Sequence, residues 1–190
     1  MDKIQYKAFL SEGGSSVSSW IMTASGRAVY PCAPRAEDID INDIAHALSH
    51  LCRFGGHSAE FYSVAQHSVL VSRECPGYEL EALLHDAAEA FLGDVPRPLK
   101  RSNAFGGYVA AEAHLQAVIL RRFGIIPEPE SVATIALADR RMLRTEQRDL
   151  MPPPAEGEDR QDVEPYSYHI RPWSVRRSRQ RFLRRFMELT

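Results

Sequence analysis

Residues 83–100 read LLHDAAEAFLGDVPRPLK, and this segment sets the strongest limit on how the chain can fold. The run is apolar enough to be buried, yet His85 and Asp86 stand side by side within it. A carboxylate beside an imidazole in apolar surroundings is costly unless something pairs with it. The fold must therefore bring compensating groups, or a cation, from elsewhere. On a continuous helix the two side chains leave the axis about 100° apart, so both can reach one ion placed between them. Glu89 lies four residues after His85 and three after Asp86, which puts it one turn on, over the same site.

Two more polar residues occupy similarly apolar stretches: His67 in YSVAQHSVLV and Asp139 in ATIALADRRML. Two histidines and two aspartates suit a divalent metal of intermediate softness such as Mn, Co, Fe or Zn. A metal with open positions can bind a phosphoryl oxygen and acidify water. Each residue alone has a plainer explanation. His67 can be a hydrogen-bonded core histidine, Asp139 can pair with the arginines that follow it, and a His-Asp dipeptide can arise by chance. Together they favour one metal site.

The rest of the pattern is helical. Ile41, Ile44, Ala45, Leu48 and Leu51 share one face, and Gly55-Gly56 follows. A second helix begins near Ser63, where Ser63 and Gln66 have capping-box spacing. Further helices are expected at about 78–92, 108–123, 130–149 and 174–189. Before them, WIMTASGRAVY holds two short β-prone runs around Ser25-Gly26, a small hairpin. The expectation is an all-α bundle of about six helices behind a short N-terminal hairpin or irregular segment. Residues 1–22, with GGSSVSS, form a flexible segment, and residues 23–190 form one domain. Within it, 151–172 is an exposed loop rich in proline and charge.

Composition excludes some classes. The chain has 190 residues, 44% of them hydrophobic, but no run approaches a membrane span. A formal net charge of −2 gives no footprint for nucleic acid. The N-terminal segment lacks the apolar core of a secretory signal, and Cys32, Cys52 and Cys75 form no CxxC pair. A cytoplasmic protein is expected.

The combination H…HD…D in a helical domain resembles the HD-domain metal-dependent phosphohydrolases. HDAAEAFLGDVPRPLK is similar to the HD-x-x-E-x-x-x-G-D-x-P-x-P-x-K run of bacterial HD-domain 5′-deoxynucleotidases. RFGGH and VAQHS resemble their arginine-aromatic and first-histidine segments. Phage dATP triphosphohydrolases are also similar, including the stretch SGR…DIDINDIAHALSHLCRFGGH. The likeness covers about residues 24–150. It implies one divalent ion on His67, His85, Asp86 and Asp139, and a nucleotide as substrate. It implies that Glu89 acts beside the nucleophilic water with help from Asp94, while Arg53, and more weakly Lys100, meet phosphate. The substrate is a deoxynucleoside monophosphate, or a dNTP that loses triphosphate, and the motif does not separate the two.

This chain departs from the pattern twice. Phe54 stands where the deoxynucleotidases usually carry a tryptophan near the sugar, and Gln66 where they usually carry a glutamate. If Phe54 does not contact the sugar, selectivity would come from the segment around Trp20 and Arg27. Trp20 could equally stack on a base or anchor the N-terminal segment. His57 could touch phosphate or cap a helix, and His46 and His50 read as packing or surface residues. The arginine-rich final helix is a solvated or subunit-facing surface, and a homo-oligomer is expected. Two classes compete with the hydrolase. A two-iron oxygenase would need more ligands than the stretch between His67 and His85 offers. A non-catalytic nucleotide-binding module would usually have lost a ligand.

Overall fold

The computed structural model describes residues 19–153 and 163–190. Most of the expected flexible segment, residues 1–18, and the middle of the proline-rich loop, 154–162, lie outside the described residues. The expected hairpin is present as β1 (Ile21–Met22) and β2 (Ala28–Val29), antiparallel with Ile21 opposite Val29. It is pinned to the domain by one buried carboxylate. The Ser25 N–H and hydroxyl both donate to Asp43, at 2.8 and 2.6 Å.

Eight helices follow among the described residues: α1 (Ile41–His50), α2 (Val64–Arg73), α3 (Glu79–Leu83), α4 (Glu89–Leu92), α5 (Arg97–Lys100), α6 (Gly106–Arg122), α7 (Pro129–Leu150) and α8 (Val175–Leu189). Asp40 caps α1 by accepting from the Asn42 N–H, and Ile44, Ala45 and Leu48 of the expected face are fully buried. In α2 every residue from Val64 to Ser72 is buried. A helix covered on all sides belongs at the centre, and α1, α3, α7 and α8 pack around this one.

A central helix must satisfy its polar groups internally. Ser68 donates to the Val64 carbonyl and Ser72 to the Glu79 carbonyl. Ser63 accepts from the Gln66 N–H as an N-cap, but the Gln66 side chain does not close the expected capping box. It turns instead to the chain entering α8, donating to the Arg171 carbonyl at 2.9 Å and accepting from the Trp173 N–H at 2.7 Å. One amide that both gives and takes does what a carboxylate at this position could not, which accounts physically for the glutamine.

Two expectations need correction. The helix expected over 78–92 is broken: α3 ends at Leu83, and residues 84–88 are consecutive turns before α4. Hydrogen bonds tighten there to a three-residue span, as in Ala87 N–H to the Leu84 carbonyl. His85 and Asp86 therefore sit in a break and not on a continuous helix. Gln116 of α6 splints the break, accepting from the Ala88 N–H and donating to the Leu84 carbonyl. The described part of the 151–172 loop is also less exposed than its composition suggests. Tyr166 and Ile170 are buried against α7, where Thr145, Arg148 and Asp149 bind their backbone. Proline and charge dominated the reading of this segment and hid two anchors.

Replacing Gln66 by leucine keeps bulk but strips partners from the Arg171 carbonyl and the Trp173 N–H. The expected loss is about 2 kcal/mol or more, seen as a fall of roughly 4–8 °C in thermal unfolding followed by circular dichroism.

Candidate metal centre

The centre begins with two tautomers. His85 Nδ1 lies 2.8 Å from the Ala82 carbonyl, which only accepts, so Nδ1 carries the hydrogen. His67 Nδ1 lies 2.6 Å from the buried carboxylate of Glu146, which fixes the same tautomer. When neutral, each ring would present an Nε2 lone pair, and these two nitrogens face each other at 3.3 Å. Two lone pairs do not approach that closely without a proton or a metal ion between them.

The carboxylates complete the argument. Asp139 Oδ1 is 3.3 Å from His67 Nε2, and Asp86 Oδ2 is 3.2 Å from His85 Nε2 and 3.6 Å from His67 Nε2. Ligand atoms about 2.1 Å from one ion and at right angles lie about 3 Å apart, so the spacing fits one small divalent ion. The ligand atoms of His67, His85 and Asp139 lie within 4.8 Å of one another, a group able to hold a metal ion. The break between α3 and α4, the centre of α2 and the middle of α7 thus meet at one point.

The local charges favour a cation at the centre. Asp86, Glu89, Asp94, Asp139 and Glu146 surround the centre against Arg53, Arg97 and Lys100. Burial disfavours an imidazolium at His85, but Asp86 and Asp139 outweigh it and raise the ring to about 9. Burial also opposes charge on Asp86, yet His85, His67 and Arg53 hold its carboxyl well below the usual range. Asp139 is likewise lowered by His67 and His85 against the push of burial.

Glu146 was not singled out from sequence. It is fully buried and accepts from His67, from the Tyr62 hydroxyl at 2.9 Å and from Arg53 Nε and Nη2 at 3.2 and 3.0 Å. Its seven-residue spacing from Asp139, two turns along α7, was the available signal. Arg53 reaches it because the chain doubles back: the Arg53 N–H bonds the Tyr62 carbonyl and Val64 N–H the Leu51 carbonyl. The reversal runs through Phe54 and Gly55 in the left-handed region, φ 57° and 59°. Left-handed backbone at a non-glycine residue costs of order 1 kcal/mol or more, and such strain clusters at functional sites.

A cavity of about 610 Å³ opens beside the centre, within the usual range for small-molecule sites. Asp86, Asp139, Glu89, Asp94, Arg53, Arg97 and Lys100 line it together with Phe54, Val95, Pro98, Leu143 and Met151. Gly93, at φ 81°, turns the chain out of α4 and sends Asp94 to the cavity wall. Burial, followed by Asp86 and Asp94, pushes the Glu89 carboxyl up to about 9. Its Oε1 accepts from Lys100 Nζ at 3.2 Å, while its buried Oε2 has no hydrogen-bond partner among the described residues. Lys100 also donates to Glu112 at 2.6 Å. His57 lines the cavity as well and closes the 53–56 turn through its N–H.

Trp20 and Arg27 are not brought to this cavity. Trp20 is half exposed before β1, and Arg27 pairs with Asp40 at 3.4 Å. His46 and His50 stack on each other at 4.3 Å, apart from the centre. No helix among the described residues is long and apolar enough to cross a membrane.

Comparison with known proteins adds kinship. Over 133 residues the chain is 46% identical to the uncharacterized protein YfdR of Escherichia coli (strain K12), covering 70% of this chain and 72% of YfdR. Over 125 residues it is 41% identical to the uncharacterized protein RCAP_rcc00048 of Rhodobacter capsulatus, covering 58% of this chain and 63% of that protein. No protein-family model matches the chain.

Glu146→Gln keeps an acceptor for His67 but removes the charge behind it. Metal affinity should fall 10–100-fold, measured by competition with a chromophoric chelator at a temperature where circular dichroism shows the variant folded.

Proposed function

This chain belongs to the family of YfdR, and from its own site we propose a metal-dependent phosphohydrolase of nucleotides, built as the HD-domain resemblance implies. The leading substrate is a deoxynucleoside monophosphate, cleaved to deoxynucleoside and phosphate. A dNTP losing triphosphate is the alternative. The observation that carries the reading is the facing pair of His67 and His85 Nε2 atoms, bracketed by Asp86 and Asp139, beside a cavity where Glu89 Oε2 has no hydrogen-bond partner among the described residues.

His67, His85, Asp86 and Asp139 would hold the ion, with Mn, Co, Fe and Zn all compatible with this donor set. When bound, a divalent ion supplies Lewis acidity to a phosphoryl oxygen and to water. The remaining work falls to side chains of this chain. Glu89 lines the cavity with Oε2 unpartnered among the described residues, and as the carboxylate it would take a proton from water and return it to the leaving group. Asp94 holds the water or the leaving group from the next turn. Lys100 keeps Glu89 in place, and Arg53 adds positive potential at the cavity wall. Phe54 lies on that wall with the Arg53 guanidinium over its ring, and supplies an apolar face for sugar or base. Leu143, Val95 and Met151 add apolar lining to the same cavity.

A reading of another class is a nucleotide-binding module without catalysis. The metal-loaded protein, incubated with all deoxy- and ribonucleoside monophosphates and dNTPs, separates the readings by its products: nucleoside plus phosphate, nucleoside plus triphosphate, or none. Two variants sharpen the result. Asp86→Ala should lose both metal and turnover. Glu89→Ala should keep its metal by elemental analysis and hydrolyse substrate ~100-fold or more slowly. Loss of metal in Glu89→Ala would make that residue a ligand.

A further inference from the structure

Three cations line the large cavity, and they differ in how far their charge is already taken. Arg53 gives Nε and Nη2 to Glu146, with Nη1 3.8 Å from Asp86. Lys100 lies between Glu89 and Glu112, at 3.2 and 2.6 Å. Arg97 has one contact among the described residues, Nη2 to Asp139 Oδ2 at 3.2 Å, and its side chain is 50% exposed. Most of a five-donor fork is left to meet a ligand.

We propose that Arg97 grips a phosphate group of the substrate and so determines specificity for the anionic end; the substrate class rests on the hydrolase reading above. Asp139 explains why the placement is useful. Its Oδ1 faces His67 Nε2 at the centre, and its Oδ2 faces Arg97. One carboxylate therefore links the ion site and the guanidinium, and a phosphate reaching the centre arrives within range of the fork. Planar guanidinium donors match phosphate oxygens two at a time, and such charge-assisted bonds are stronger than neutral ones. The existing contact takes one donor of the fork, on a side chain that is itself half exposed, and leaves the others available. The backbone holds Arg97 in position: Pro96 precedes it and Pro98 follows it at the start of α5, fixing φ on both sides. Within the GDVPRPLK run Arg97 falls between the two prolines, at a position the resemblance leaves open.

The rival explanation is that Arg97 only screens Asp139. Calorimetric titration of the metal-loaded protein with inorganic phosphate and with tripolyphosphate separates the two, alongside metal affinity and steady-state kinetics. Arg97→Gln should weaken phosphate binding about 10–100-fold, raise KM more than it lowers kcat, and leave metal affinity within about twofold. Arg97→Lys, which keeps charge but loses the fork, should recover part of the loss. Unchanged phosphate binding in Arg97→Gln, or a parallel loss of metal, overturns the assignment. If the unaltered protein turns over nucleotide while Arg97→Gln matches it, only the role of Arg97 falls. If the unaltered protein neither binds phosphate nor turns over nucleotide, the hydrolase reading falls as well.

Discussion

A carboxylate with no access to solvent holds this molecule together. Glu146 is fully buried, and moving such a charge out of water costs several kcal/mol unless its lone pairs are filled. His67, Tyr62 and Arg53 fill them. Those donors come from the turn before α2 and from α2 itself, some 80–90 positions earlier in the chain. The same contacts that make the burial tolerable fix the tautomer and orientation of His67. The packing of α2 against α7 that satisfies Glu146 is therefore also the packing that places His67 at the centre. Burial opposes the charge, and Arg53 with His67 still holds the carboxyl below its ordinary range.

Much of this was legible in the sequence, and the reason is polarity. His67, His85, Asp86 and Asp139 each interrupt an apolar run, and an interruption of that kind demands a partner. Helix faces were legible too, because Ile44, Ala45 and Leu48 repeat with the helical period. The break at residues 84–88 was not. Leu83, Leu84, Ala87 and Ala88 continue a helical pattern, and what stabilises the break is Gln116, 28 and 32 residues away. Glu146 was hidden for a related reason. It stands among Arg144, Gln147, Arg148 and Asp149, where an acid looks solvated, and only the two-turn spacing from Asp139 sets it apart. Tyr166 and Ile170 were masked by the proline and charge around them.

The break gives the centre its shape. On an unbroken helix the Ala82 carbonyl would accept an N–H from the next turn. Here it is available to His85 Nδ1 and orients the ring from behind. The Ala88 amide and the Leu84 carbonyl in the break bond to Gln116. His85 and Asp86 thereby point at one locus although they are neighbours in sequence.

The order of the elements along the chain has a consequence for how the protein matures. The two histidines are synthesised well before Asp139 and Glu146, and the segment that Gln66 clamps comes later still. A nascent chain that ends before α7 carries His67, His85 and Asp86 but lacks Asp139, and it has no Glu146 behind His67. Such a chain can hold a cation only loosely. The proposed ion site is complete only once α7 has folded against α2 and brought Asp139 and Glu146 to His67.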